Sequence, residues 1–383
     1  MLSPQLEARY TEIYGSRGVT FAAPGRVNLI GEHTDYNDGW VMPCAIGFSA
    51  HVAIAPRSDS RLLLRSEEFP QKFEFEVERL PTVRTGSWCD YLLGIAQEFQ
   101  QRGHSLPGAN VLVSSQVPVG AGLSSSAALE VATAFALMSL LGVSLPRPEI
   151  AKLCQHAENT FVGARVGIMD QFVACLGKAG HALVLDCRSL EYQLVPVPRG
   201  VRIVICNTMV KHELSGGEYN RRREECDAGV KLLARWYPGI RALRDVSLAQ
   251  LEAHRGEMPP LIYQRCLHVV AENQRVMDAV KALGSNDLSR FGELMAGSHR
   301  SLRDLYQVSC PELDIMVGLA KDLAGCYGAR MTGGGFGGCT VNLVRDTDAD
   351  AFSAKIAAAY KQKTGIHPDV YICTAADGAH AES

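Results

Sequence analysis

No segment of this sequence is apolar for long enough to cross a bilayer. The most apolar stretch, residues 127–143, is interrupted by Glu130 and falls short of the ~20 residues a span requires, so no membrane insertion is expected. The N-terminal MLSPQLEARYTEIYG lacks the apolar run of an export signal, its apolar residues recurring at helical intervals around Glu7 and Glu12. Blocks of like charge are missing as well. The formal net charge is -3, and the densest basic run, Arg221, Arg222 and Arg223, is followed at once by Glu224 and Glu225. That alternation reads as a solvated helix face and argues against a nucleic-acid patch. Paired cysteines are equally scarce: twelve are scattered singly, and the nearest two, Cys175 and Cys187, lie outside metal-knuckle and C-x-x-C spacing. Buried thiols in a reduced, cytoplasmic setting are expected. No internal repeat or low-complexity linker is evident.

What is present is a globular composition, 47% hydrophobic and 21% charged over 383 residues, a length that suggests two domains. Residues 20–55 alternate short apolar runs with Gly, Asn, Asp and Pro, as strands joined by polar turns do. NVLVSSQVP reads as a strand, and GAGLSSSAALEVATAFALMSLLGV as a glycine loop feeding a long buried helix. Further helices are expected over 146–162 and in GIMDQFVACLG, with strands at HALVLDC and VRIVICNT. Beyond about residue 208 come long charged amphipathic helices over 216–236, 260–283 and 288–305. A glycine-rich loop, the strand CTVNLV, a helix over 348–364 and a strand at VYIC follow. The domain boundary falls between 185 and 210.

Four features carry chemistry. In G-A-G-L-S-S-S-A, residues 120–127, a strand gives way to a helix whose unpaired N–H groups favour phosphate. Gly120 and Gly122 allow close approach and positive φ, and three hydroxyls could cap the helix, meet phosphate or ligate Mg2+. The loop has no P-loop lysine. A serine N-cap is the plainer alternative. The second loop, G-G-G-F-G-G over 333–338, matches GxGxxG formally but leads into a strand, which contradicts a dinucleotide site. It is either a turn or a backbone surface packed on a nucleotide or on the first loop. Third, A-P-G-R-V-N-L-I-G-E-H-T-D-Y-N-D-G gathers Arg26, Asn28, Glu32, His33, Asp35 and Asn37, donors and acceptors suited to a polyol. Singly each has an ordinary reading: ion pair, structural histidine, turn former. E-H-x-D is too sparse for a metal site. Fourth, Asp170 stands among Ile168, Met169, Phe172 and Val173, where a carboxylate is costly unless paired. Its alternative is a helix-start aspartate. Glu158 could reach a metal or be a solvated helix carboxylate.

These residues carry a resemblance. PGRVNLIGEHTDYNDG resembles the galactokinase signature, VPVGAGLSSSAALE the phosphate loop of the GHMP small-molecule kinases, and RMTGGGFGGCTVNLV their third motif. GIMDQF, LVLDCRSL and SHRSLRDLYQVSCPELD are also similar to galactokinases, and motif order is kept through nearly the whole chain. The resemblance implies an α+β, two-domain GHMP kinase fold. A ribosomal-protein-S5-like domain would take residues 1–195 and a ferredoxin-like domain 196–383, with the active site between them. The last strand could return to the first domain. The implied activity is ATP-dependent phosphorylation of the C1 hydroxyl of galactose, first committed step of the Leloir pathway, without an obligate protein partner.

By the same resemblance Gly120, Ala121, Gly122, Leu123, Ser124, Ser125 and Ser126 surround the ATP phosphates, and Ser126 with Glu158 holds Mg2+. Trp88 and Tyr91 stand near adenine. Arg26, Glu32, His33, Asp35, Gly167, Asp170 and Tyr219 contact the sugar, Tyr219 lying in GGEYNRRR after the less regular KHELSGG. Asp170 would accept the C1 hydroxyl proton, while Arg26 keeps that carboxylate ionised and stabilises the transferring phosphoryl group. An N-acetylgalactosamine kinase would share nearly every motif. A non-catalytic galactokinase-like regulator would have a damaged GLSSSA loop, which is intact over 123–128. A dinucleotide-dependent oxidoreductase would need the missing strand-glycine-helix unit.

Overall fold

Alternate residues of the central N-terminal strands face different layers, and this period of two sets the architecture. The computed structural model describes residues 3–211 and 215–382. Its first half runs α1 (Ser3–Tyr14), β1 (Val19–Asn28), β2 (Trp40–Val41), β3 (Pro43–Pro56), β4 (Arg61–Ser66), β5 (Phe73–Glu76) and α2 (Cys89–Gln101). Then come β6 (Ala109–Ser115), α3 (Ser125–Leu141), α4 (Arg147–Ala157), α5 (Met169–Leu176), β7 (His181–Asp186) and β8 (Tyr192–Pro196). Ala53 and Leu112 pack on Leu6 and Tyr10 of α1, while Val52, Ile54, Val111 and Val113 join the core that contains α3. Covered on both faces, β1 is buried at every position but its first. The alanine-rich α3 is apolar nearly all round, as a central helix must be, and Gly142 ends it in a left-handed conformation.

The second half runs β9 (Val201–Lys211), α6 (Ser215–Trp236), α7 (Leu248–Ala253), α8 (Pro260–Gly284), α9 (Leu288–Ser301) and α10 (Pro311–Lys321). It closes with β10 (Cys326–Thr332), β11 (Gly337–Arg345), α11 (Ala349–Thr364), β12 (Asp369–Cys373) and β13 (His380–Ala381). Among the described residues the strands form three sheets, ordered β13-β1-β3-β6-β4-β5, β10-β11-β9-β12 and β2-β7-β8. Only β4 with β6 is parallel among these pairings. The α+β expectation holds. One hydrophobic core joins the halves, placing Val27, Leu29 and Ile30 against Val276, Phe291 and Val341. VYIC lies in β12, and the chain then runs on to β13, which pairs with β1 through Phe21 and Ala22.

Two helices differ from the sequence pattern. The helix expected over 146–162 is α-helical only to Ala157 and turns π-helical over Glu158–Val162. That expected over 288–305 does the same over Leu302–Tyr306. A π-turn inserts one residue into the helical repeat, so apolar spacing alone does not reveal it. The solvated-face reading of the basic run fails at Arg222, which is buried and donates to the carbonyls of Tyr306 and Gln307 at 2.8 and 2.9 Å. KHELSGG lies partly outside the described residues, which exclude 212–214.

Candidate active site

The ladder of β1 with β3 shifts register between Pro24, opposite Ser49, and Arg26, opposite Ala45. A Cβ on Gly25 would stand 2.6 Å from the Leu123 carbonyl, so glycine permits the approach that lets Arg26 N–H donate to that oxygen at 3.0 Å. The guanidinium then forks onto Asp170, Nε to Oδ1 at 2.7 Å and Nη2 to Oδ2 at 2.6 Å. Its Nη1 donates to the Gly122 carbonyl at 2.7 Å. Burial opposes the charge on Arg26, yet Asp170 and Glu32 outweigh that and raise its pKa above the usual arginine value. Ser124 Oγ donates to Asp170 Oδ2 at 2.5 Å. Ser124 stands at the α3 N-cap position in a left-handed conformation, φ 63°, and caps nothing. A cap bond is worth about 1 kcal/mol, a hydrogen bond to a carboxylate about 1.5–3 kcal/mol. The stronger bond prevails, and the hydroxyl serves Asp170 instead of the helix.

Asp170, in the first turn of α5, lines a polar cavity of about 250 Å³. Arg26, Glu32, His33, Asp35, Gly167 and Tyr219 line it too, with Val166, Met169, Gly333 and Gly334. The segment 28–39 thus leaves β1 and folds back as a polar wall. Thr34 Oγ1 ties it down against the carbonyls of Gly31 and Trp40, both at 2.8 Å. From α8, Glu272 accepts Gly31 N–H at 3.0 Å, Asn273 accepts Trp40 N–H at 3.0 Å, and His268 Nε2 meets the Glu32 carbonyl at 3.1 Å. Glu32 Oε1 accepts from Gly333 N–H at 2.7 Å and Thr332 Oγ1 at 3.2 Å, with Arg330 Nη2 at 3.4 Å, while Oε2 accepts from Asn28 Nδ2 at 3.1 Å and keeps a lone pair for a ligand. A Cβ at Gly167 would collide with the Asp35 carboxylate, so this glycine makes the room Asp35 occupies. Burial, and next the charge of Asp170, push the Asp35 carboxyl up to about 7. Burial lowers the His33 imidazole to about 3, aided by His268.

Behind the helix start lies a second carboxylate cluster. Glu158, the first π-turn residue, accepts from Gln171 Nε2 at 2.6 Å and bonds Ser126. Burial first and Asp170 second push its carboxyl up to about 7. Gln171 Nε2 also reaches Glu130 Oε2 at 3.2 Å, and burial raises the Glu130 carboxyl well above its ordinary value. A separate pocket of about 120 Å³ brings Trp88 and Tyr91 together with Phe69, Glu68, Ser115, Ser125 and Ser126. Trp88 stacks on Phe69 at 6.3 Å, and its buried Nε1 has no partner. Gly120 and Gly122 adopt φ of 74° and 77°, as the loop reading expects. The second glycine loop packs on the first. A Cβ on Gly333 would stand 2.9 Å from the Gly122 carbonyl, and one on Gly338 3.1 Å from that of Ala121.

The seven residues expected around a sugar therefore share one cavity, and the expected aromatic pair shares another with Ser125 and Ser126. Glu130, Gln171, Phe69, Gly333 and Gly334 were not singled out for these sites. Their traceable signals are a lone carboxylate in the apolar α3, an amide beside Asp170 and a strand-ending glycine run.

A strand-loop-helix anion cradle opening onto a buried carboxylate and a polyol-sized cavity is the construction of a GHMP-type small-molecule kinase. Family models agree. Those described as GHMP kinases N terminal domain and GHMP kinases C terminal match residues 90–178 and 279–362, and the galactokinase galactose-binding signature matches 8–56. A curated galactokinase of Roseiflexus sp. (strain RS-1) is 48% identical over 98% of this chain and 96% of its own length. One of Chloroflexus aurantiacus is 45% identical over 97% and 96%. The chain superposes on the solved Lactococcus lactis galactokinase complexed with galactose with a TM-score of 0.96, at 34% identity and 100% coverage of both. Methanococcus jannaschii mevalonate kinase, 18% identical over 95% of this chain and 100% of its own, shares the fold with a TM-score of 0.68. The chain belongs to the galactokinase family.

Proposed function

We propose that this chain transfers the γ-phosphoryl group of ATP to the C1 hydroxyl of α-D-galactose, giving galactose 1-phosphate for the Leloir pathway. The carrying observation is the place of Asp170. Its carboxylate lines the polar cavity while Arg26 and Ser124 tie it to the glycine loop at the start of α3. A hydroxyl lodged beside Asp170 therefore meets a proton acceptor and faces a helix N-terminus suited to phosphate.

Phosphoryl transfer asks chiefly for alignment and for positive charge around the transferring group. In this reading Asp170 takes the C1 hydroxyl proton as the oxygen attacks. Arg26 holds the carboxylate by its fork and spreads positive charge toward the phosphoryl group. Glu32, His33, Asp35 and Tyr219 fix the sugar, with Gly167 making room for Asp35. Gly120, Ala121, Gly122, Leu123, Ser124, Ser125 and Ser126 cradle the phosphates, and Trp88 and Tyr91 flank adenine. Among the described residues no group of three His, Cys, Asp or Glu side chains could hold a metal. Glu158 and Ser126 still fit Mg2+, which takes one or two protein oxygens and completes its shell from phosphates and water. When bound, Mg2+ neutralises charge on the phosphates. Residues 1–195 and 196–383 are assigned to the two domains, with β13 counted in the first. All twelve cysteines are free thiols, ten of them buried, which suits a reducing cytoplasm.

The test is 31P NMR of the product formed from ATP and galactose. A signal coupled to the anomeric proton in the α configuration is expected. Phosphate on C6 or another carbon would overturn the assignment of Asp170 to the C1 hydroxyl.

A further inference from the structure

His33 ends a largely buried chain of side chains whose other members no step above uses. Its Nδ1 lies 2.8 Å from Tyr36 Oη, Tyr36 Oη lies 2.8 Å from Tyr306 Oη, and Tyr306 Oη lies 3.1 Å from Cys226 Sγ. The four groups come from the signature loop, the π-turn after α9 and α6. The π-turn is held by two arginines: Arg222 on the Tyr306 carbonyl, and Arg265 on the Leu305 carbonyl at 2.5 Å and Gln307 Oε1 at 3.0 Å. His33 itself has a left-handed backbone, φ 62°, and Asn37 Nδ2 donates to its carbonyl at 2.9 Å. At the other side of the ring, Nε2 is buried without a hydrogen-bond partner at the wall of the sugar cavity.

We infer that Tyr36, backed by Tyr306 and Cys226, holds His33 as the neutral tautomer protonated on Nε2, so that the ring presents a donor to an oxygen of the sugar. The direction of the chain decides this. Run one way, the thiol donates to Tyr306, Tyr306 to Tyr36, and Tyr36 to the imidazole Nδ1. Run the other way, Nδ1–H donates to Tyr36 and the last hydroxyl must donate to sulfur. Imidazole nitrogen is a good acceptor and a thiol sulfur a weak one, so the first direction is favoured. Burial keeps the two tyrosines and the thiol protonated, the thiol being raised to about 11, and keeps the imidazole neutral.

Tyr36 is thus a positioning residue, acting on the sugar through His33. The inference rests on the galactose reading for its ligand, but its test does not. In 15N-histidine-labelled protein, His33 is expected to show a protonated Nε2 and an unprotonated Nδ1, with and without galactose. Tyr36→Phe should move His33 toward the Nδ1-protonated form or a mixture. Tyr306→Phe, which leaves the Tyr36 hydroxyl free to donate, should keep the wild-type pattern. A protonated Nδ1 in the wild type, or an unchanged His33 spectrum in folded Tyr36→Phe, overturns the inference. Direct binding of singly deoxygenated and deoxyfluorinated galactoses adds a second readout. At the oxygen facing His33, fluorine, which only accepts, should bind roughly threefold to tenfold more tightly than hydrogen. That preference should vanish in Tyr36→Phe. A preference unchanged in the variant contradicts the role of Tyr36. If no galactose binds but the tautomer is as described, the substrate reading fails while the control of the His33 tautomer by Tyr36 stands.

Discussion

Asp170 bears the largest share of the chemistry proposed for any single residue. A positioned general base contributes about 10²- to 10⁴-fold. Asp170→Asn keeps the shape and one acceptor oxygen for Arg26 but removes the proton acceptor. We expect kcat to fall at least a hundredfold while calorimetry still detects galactose binding, and a kcat within tenfold of wild type would contradict the base assignment. Asp35 offers a test through stability. Its folded pKa is raised to about 7 from an ordinary value near 3.8, so the folded state holds the proton more tightly than the unfolded state. Stability associated with this group is therefore greatest at low pH and is lost as pH rises through the interval from about 4 to about 7. Asp35→Asn removes that loss, so the sugar-free variant should melt a few degrees above wild type at pH 8 and gain less at pH 5. An equal shift at both pH values would contradict the raised carboxyl. Arg26, Glu32, His33 and Asp35 were legible as a polar cluster because they crowd one short segment, whereas Gly167 and Tyr219 joined them only through the resemblance. Gln171 and Glu130 were not legible, since two polar side chains on separate helices signify a site only once packing has brought them to Glu158.

Between elements, the two glycine loops meet backbone to backbone. Gly338 has φ 79° and its missing Cβ would stand 3.1 Å from the Ala121 carbonyl. Gly338→Ala therefore strains a left-handed residue and pushes the first loop away from its place. Nucleotide affinity is expected to drop at least fivefold with galactose affinity changed less than twofold, both read by calorimetry, whereas equal losses would point to general unfolding. The sequence showed the first loop as a strand-to-helix transition. It showed the second as a glycine run leading to a strand, but not which backbone it approaches, because glycine spacing carries no information about the partner surface. The π-turns were invisible for a related reason. The apolar positions of 146–162 and 288–305 fit a regular helix, and the one-residue slip that places Glu158 and Tyr306 appears only in the hydrogen bonding. Arg222 and Glu225 were misread because Arg221 and Glu224 do face outward, and a charged run hides its buried members.

At the scale of the whole molecule, the C-terminal segment locks the first sheet. Gly378 and Ala379 N–H groups donate to Gly177 and Ala174 carbonyls at 2.8 Å, β13 pairs with β1, and Glu382 N–H donates to Thr20 at 2.9 Å. Because β1 carries Arg26, ending the chain at residue 377 should cost about 2 to 4 kcal/mol, summed over these bonds and the burial of Ala379. A lower urea midpoint would register it, and an unchanged midpoint would show the segment to be passive. The α+β class followed from motif order along nearly the full length, and so did the possible return of the last strand, but it is β13 and not VYIC that returns, since two residues of strand carry no pattern. The bottom-up features alone, a phosphate loop, a polyol cluster and a buried carboxylate, define a kinase and leave its sugar open. The sugar is therefore what most needs measuring. Coupled ADP release with galactose, glucose and N-acetylgalactosamine decides it: turnover should be highest with galactose and abolished by Asp170→Asn, and absence of ADP formation with galactose, or faster turnover of either other sugar, would contradict a galactose kinase.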